Sequence, residues 1–178
     1  MDYRKLAIVG EVGAGKTQLI STISEISPLS TEAKSTVDIG KEYTTVGIDY
    51  GRLTLSPTDA IGLYGLPGQD RYAFLWDIVG KNIWGLLVLV KYDEQLNLDS
   101  LRVLINHFDP KSSKVPVLVG ITHAEDASDE KIDAMEASIQ ETFNEMGLSP
   151  PVLKVDPRDK KSSASLLAFF DAISEKKK

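Results

Sequence analysis

The eight residues Gly10 to Thr17, GEVGAGKT, constrain this chain more than any other stretch. They fit a glycine, four variable residues, then Gly-Lys-[Ser/Thr]. Their neighbours suit the pattern. Leu6-Ala7-Ile8-Val9 reads as a buried strand, and Thr17-Gln18-Leu19-Ile20-Ser21-Thr22-Ile23 reads as the start of a helix. Gly13 and Gly15 let successive backbone N–H groups turn inward as an anion nest. The helix that follows aims its positive end at the same point. The phosphate-facing set is then Val12, Gly13, Ala14, Gly15, Lys16, Thr17 and Gln18. In this arrangement Lys16 reaches the β- and γ-phosphates of a nucleotide and Thr17 offers a hydroxyl to Mg²⁺.

Composition narrows the field. A chain of 178 residues suits one domain with a sizeable core, expected over residues 1–175 with a charged tail at 176–178. A net charge of −6 and a pI near 5.0 argue against general nucleic-acid binding, which calls for a basic face. There is no cysteine and there are two histidines, which removes disulfides, thiolate zinc sites and a cysteine nucleophile. Met1 to Lys5 leads straight into the first strand, and the longest apolar run, Ile83 to Val90, is too short to span a bilayer. A cytoplasmic protein is expected. The three terminal lysines read as a solvated tail, with no lipidation signal and so no stable membrane anchoring.

Strand and helix patterns alternate along the chain. Ser27 to Thr44 has no long apolar run and reads as a long loop, of the kind that carries function. Val46 to Ser56 reads as a strand. Its apolar set shifts from Val46, Ile48 and Tyr50 to Leu53 and Leu55, which suggests a bulge near Gly51. Ala60 to Tyr64 is its antiparallel partner. Gly65 to Gln69 breaks regular structure, and a helix follows to about Val79. Ile83 to Lys91 and Val115 to Ile121 read as strands buried on both faces. Helices are expected over 98–108, over 129–146 with Ser128 as N-cap and Gly147 past the end, and over 162–173, with a short strand at 152–155. The sum is an α/β sandwich around a mostly parallel sheet of about six strands. Such sheets bind ligands at the carboxyl ends of their strands, where Thr45, Gly68-Gln69, Thr122-His123 and Asp156 join the phosphate loop.

With these segments in place, the chain resembles a Ras-like small GTPase along nearly its whole length. Thr44-Thr45-Val46-Gly47-Ile48-Asp49 resembles the first switch of the Rab branch, and Gly65-Leu66-Pro67-Gly68-Gln69-Asp70-Arg71-Tyr72 resembles the second switch. The second segment is most similar to that of bacterial and archaeal predicted small GTPases often encoded beside Roadblock-type partners, and less so to the Mgl-type polarity GTPases. The resemblance implies Mg as cofactor, held by Thr17 and Thr45, with Thr45 also bonding the γ-phosphate. It implies that Gly68 brings a backbone N–H to the γ-phosphate and that Gln69 orients the attacking water, with Lys16 as the other catalytic residue. Arg71 reads first as a solvated helix residue, and Lys34 and Lys41 are the only cations of the long loop, so an arginine finger is expected from a partner.

Four positions depart from the pattern. Gly65 replaces the aspartate that holds Mg²⁺ through water, which implies weaker metal binding or a site that relies on water and phosphate. Val12 replaces a glycine and implies slow turnover. Thr122-His123-Ala124-Glu125-Asp126 replaces the base-recognition run. Either Glu125 or Asp126 supplies the carboxylate that accepts from guanine N1–H and the exocyclic amine, and His123 lays its ring over the base. Val155-Asp156-Pro157-Arg158 resembles the last base loop, but Pro157 has no N–H for guanine O6, so Arg158 or a neighbouring backbone group takes its place. The function implied is a GTP/GDP switch with slow, partner-stimulated hydrolysis, an effector and an activating partner, the latter of Roadblock type. The alternatives are a constitutive nucleotide-binding scaffold with negligible turnover and an ATP-dependent enzyme on the same loop. The helix after Gln69, with Tyr72, Phe74, Leu75 and Trp76, is read as a docking face or, for Trp76 equally, as core.

Overall fold

The computed structural model describes residues 2–30 and 47–175. Thr45, Lys34, Lys41 and Val46 therefore lie outside the described residues. Among those described, seven strands form one sheet in the order β2-β3-β4-β1-β5-β6-β7. They are β1 (Asp2–Gly10), β2 (Leu29–Ser30), β3 (Asp49–Ser56), β4 (Asp59–Gly65), β5 (Gly85–Lys91), β6 (Val117–Thr122) and β7 (Val152–Lys154). β3 runs antiparallel to β2 and β4, and every other pairing is parallel.

The helices are α1 (Lys16–Ile23), α2 (Ala73–Val79), α3 (Asp99–Phe108), α4 (Pro110–Ser113), α5 (Asp129–Glu145) and α6 (Lys160–Glu175), with a 3₁₀ turn at Asp70–Tyr72. They cover both faces of the sheet. Trp76 and Val79 of α2, Leu104 and Ile105 of α3, and Ile139 and Phe143 of α5 pack with Ala7, Val9, Val88 and Val119 on one face. Leu19, Ile20 and Ile23 of α1 and Leu166, Leu167 and Phe170 of α6 pack with Leu6, Ile8, Leu87 and Leu118 on the other. β5 and β6 are buried on both faces, which is why they read as unbroken apolar runs.

Two expectations are corrected. The sheet has one strand more than expected, because the two-residue β2 falls inside the segment read as loop. Two residues carry no periodicity to find. The bulge sits between Thr54 and Ser56, while Gly51 pairs in register with Leu63. The apolar shift along β3 arises because both faces are used. Tyr50 packs against Tyr64 on one face, and Gly51 lies against Ile20 of α1 and Ser24 just past its end on the other. Ser128 is the N-cap of α5 as expected, its carbonyl accepting from the N–H groups of Lys131 and Ile132.

β1 lies between β4 and β5, so the chain leaves β1 toward opposite sides of the sheet. The crevice at the carboxyl end of β1 is the switch point where an open α/β sheet receives a ligand. β4, β5, β6 and β7 end on this same edge, and β3, being antiparallel, begins there with Asp49.

Candidate functional site

The phosphate loop leaves β1 at Gly10 and enters α1 at Lys16. Gly15 caps the helix at φ 97°, a left-handed conformation that suits glycine, and a methyl group there would lie 2.8 Å from Cγ of Pro157. No side chain caps α1, so its first-turn N–H groups face the loop rather than a neighbouring residue. Lys16 folds back over the loop, its Nζ donating to the carbonyls of Gly10 at 2.8 Å and Glu11 at 2.7 Å. Burial pushes its ammonium down to about 8, against the pull of the Asp49 and Glu11 carboxylates. Val12 is 67% exposed at the mouth of the loop, and Ala14 is fully buried beneath it.

Asp49 was not singled out from the sequence, and the structure places it beside Thr17. The Thr17 hydroxyl donates to its Oδ2 at 2.5 Å, and the Ser30 hydroxyl donates to its Oδ1. Asp49 stands directly across the β3–β4 ladder from Gly65. A methyl group on Gly65 would lie 2.8 Å from Cδ1 of Ile20 and 3.2 Å from Cβ of Asp49. The space a side chain at position 65 would use is thus taken, and the carboxylate arrives from the neighbouring strand. A threonine hydroxyl beside a carboxylate is a hard oxygen set of the kind a small divalent cation accepts. The signal in the sequence was an acidic residue in a hairpin partner of the glycine. It needed the hairpin register to be read.

Gly68 lies on the phosphate loop. A methyl group there would come within 2.1 Å of the Gly10 carbonyl oxygen. The preceding Pro67 carbonyl accepts from the Trp76 indole at 2.7 Å, and Trp76 is 2% exposed. The docking reading of Trp76 is therefore replaced by a core one, in which α2 pins the segment before Gly68. Phe74 and Ile78 are the exposed apolar residues of α2, at 56% and 64%. The Gln69 Oε1 is buried and has no hydrogen-bond partner among the described residues. A buried amide oxygen left this way calls for a donor. Arg71 is exposed, with its guanidinium 4.8 Å from the ring of Tyr72.

The third loop group sits past β6 and β7. The Thr122 hydroxyl, fully buried, donates to the Ala14 carbonyl at 2.8 Å and so joins this loop to the phosphate loop. Because that hydroxyl has one proton, His123 Nδ1, 3.0 Å away, carries the hydrogen of their contact. His123 is left-handed at φ 57° and exposed, and Ala124 turns inward. Glu125 then faces Arg158, whose Nη2 donates to Glu125 Oε1 at 2.7 Å, while Asp126 is exposed on the loop. Arg158 also grips Asp156 through Nε at 2.9 Å and Nη2 at 3.0 Å. Those bonds hold the Asp156 carboxyl below the usual carboxylate range. Pro157 is buried, and its carbonyl accepts from the Thr22 hydroxyl at 2.6 Å.

Phosphate loop, Gly68-Gln69, Asp49 and both base-loop candidates thus gather on one edge of the sheet. No protein-family profile and no curated protein matches the chain, whereas many solved structures do. The Arl6/BBS3 small GTPase of Trypanosoma brucei, with a bound nucleotide analogue, superposes with a TM-score of 0.68 over 99% of each chain at 14% identity. A bacterial selenocysteine-specific elongation factor, EF-Sec, gives 0.72 at 18% identity over 99% of this chain, which spans 29% of that factor. The G domain of the Thermotoga maritima (T. maritima) FeoB iron transporter gives 0.60 at 17% identity over 96% of this chain and 98% of that domain. The chain has the α/β fold of these GTPase domains.

Proposed function

We propose that this protein is a small guanine-nucleotide switch that binds GTP and GDP with Mg²⁺ and hydrolyses GTP slowly. The observation that carries the reading is the Thr122 hydroxyl on the Ala14 carbonyl. A phosphate loop alone serves many nucleotide enzymes. A second loop bonded to its floor, presenting a carboxylate at Glu125, fits recognition of a base that offers two N–H donors side by side, as guanine does and adenine does not.

The geometry supports the following division of labour. Lys16 and the uncapped start of α1 hold the phosphates. Thr17 and Asp49 hold the metal, with Thr45 as a further ligand from the first switch; Asp49 fills the role that Gly65 lacks. When bound, Mg²⁺ neutralises charge on the β- and γ-phosphates. Gly68 carries its backbone N–H close to the γ-phosphate, because no side chain blocks the approach. The unpartnered Gln69 Oε1 accepts a hydrogen bond from the attacking water and fixes its direction. His123 stacks its ring over the base. Among the described residues Arg71 is held at a surface ring, which supports a cation supplied by an activating partner, and the exposed Phe74 and Ile78 beside the second switch support a partner face there. A Roadblock-type protein is the partner class proposed.

Phosphate release after GTP addition tests the catalytic part. Gln69→Ala is expected to lower the rate about 10²-fold or more while GDP affinity stays unchanged. Release that Gln69→Ala does not lower would remove Gln69 from the catalytic role, and no release from either protein would leave a nucleotide-binding scaffold in place of an enzyme.

A further inference from the structure

We propose that the side chain of Arg158 reads the 6-oxo group of guanine, working as a pair with Glu125. The proposal rests on the guanine-nucleotide reading and adds the source of its selectivity.

A purine 6-oxo group enclosed by protein needs a donor, since an acceptor left unpaired is costly. The backbone of the loop after β7 has none to give. Pro157 has no N–H. The Asp156 N–H is taken by the Ser162 hydroxyl at 3.1 Å, and the Arg158 N–H by the Asp156 carboxylate at 2.9 Å. The Asp159 N–H goes to the Asp156 carbonyl at 3.1 Å. What remains is the Arg158 guanidinium, which has five N–H groups. Nε and Nη2 are spent on Asp156 and Glu125, and Nη1 makes no hydrogen bond among the described residues.

The pair has the right order of charges. With Nη2 2.7 Å from Glu125 Oε1, a donor group stands beside an acceptor group. Guanine presents the complement along one edge, an acceptor at O6 beside a donor at N1–H. Glu125 faces N1–H and the 2-amino group, and Arg158 faces O6. Adenine reverses both positions. Its 6-amino group would meet the guanidinium and its N1 lone pair the carboxylate, so the pair rejects as well as selects. Asp156 holds the planar guanidinium at two points, which fixes its direction before the base arrives.

The test is displacement of mant-GDP by GDP, 6-thio-GDP and ADP, in Mg²⁺, from the unaltered chain, Arg158→Ala and Arg158→Lys. 6-Thio-GDP keeps N1–H and the 2-amino group but replaces O6 with sulfur, a weak acceptor. The unaltered chain is expected to favour GDP over 6-thio-GDP by about 10-fold. Arg158→Ala should bind both alike and more weakly, and Arg158→Lys should keep part of the ratio. If Arg158 merely positions Glu125, its loss would weaken both ligands equally and leave the ratio intact. That outcome overturns the proposal while the guanine reading stands. An unaltered chain that takes ADP as well as GDP would remove the guanine reading and this proposal together.

Discussion

Asp49 is the residue on which the proposed metal site turns. Its carboxylate accepts from Thr17 and Ser30, and the strand opposite offers only Gly65. Asp49→Ala should raise the Mg²⁺ concentration needed to slow mant-GDP release by about 10-fold or more. Combining it with Thr17→Ala should cost less than the two single losses added, because both act through one ion. Strictly additive effects would separate them. Lys16 carries a second prediction. Its folded value, about 8, lies below the ordinary 10.5, so between those limits the unfolded chain binds more protons than the folded one. Stability without nucleotide should therefore rise with pH from about 8 to 10.5, as the buried ammonium is relieved of its charge. Affinity for GDP should fall across the same window, because the phosphates need that charge. Thermal unfolding and mant-GDP titration against a Lys16→Met control measure both. A control with the same pH slopes would contradict the assignment.

At the scale of elements, the segment read as the second switch is built on contact rather than on slack. Trp76 of α2 holds Pro67, and Gly68 rests against the backbone of Gly10. Gly68→Ala would drive a methyl group to 2.1 Å from a carbonyl that cannot turn aside, so the segment must lift from the phosphate loop. GDP should still bind, since the proposed seat of its phosphates is the loop itself. Phosphate release from GTP should fall to the level of Gln69→Ala. Unchanged release would show that Gly68 does not need this seat. The elements also show where sequence reading succeeds and fails. The β5 and β6 runs are legible because burial on both faces leaves no polar residue to interrupt them. The phosphate loop is legible because its glycines and lysine have fixed jobs. β2 and the β3 register were not, since a two-residue strand has no period and a strand packed on both faces loses its alternation. Asp49 went unseen for the same reason. Its partnership with Thr17 joins β3 to α1, and its place opposite Gly65 is set across a ladder, so neither is made along the chain.

Over the whole molecule, the sheet gathers distant residues on one edge. β1 sits at its centre, so Thr17, Asp49, Gly68, Thr122 and Arg158 lie along one edge of the sheet although they come from five parts of the chain. The alternation of strands and helices made the α/β class legible. What spacing could not rank was Glu125 against Asp126, because loop geometry decides which carboxylate finds a partner; both are exposed. Glu125 is the one that meets Arg158. No helix among the described residues is long and apolar enough to cross a membrane. The central claim, a switch for guanine nucleotides with Mg²⁺, is tested most directly by competition of unlabelled GDP, GTP, ADP and ATP against mant-GDP with and without Mg²⁺. The account predicts that GDP and GTP displace the probe at concentrations about 100-fold or more below ADP and ATP, and that the guanine nucleotides bind more tightly with Mg²⁺. Equal displacement by the adenine nucleotides, or binding indifferent to Mg²⁺, would contradict it.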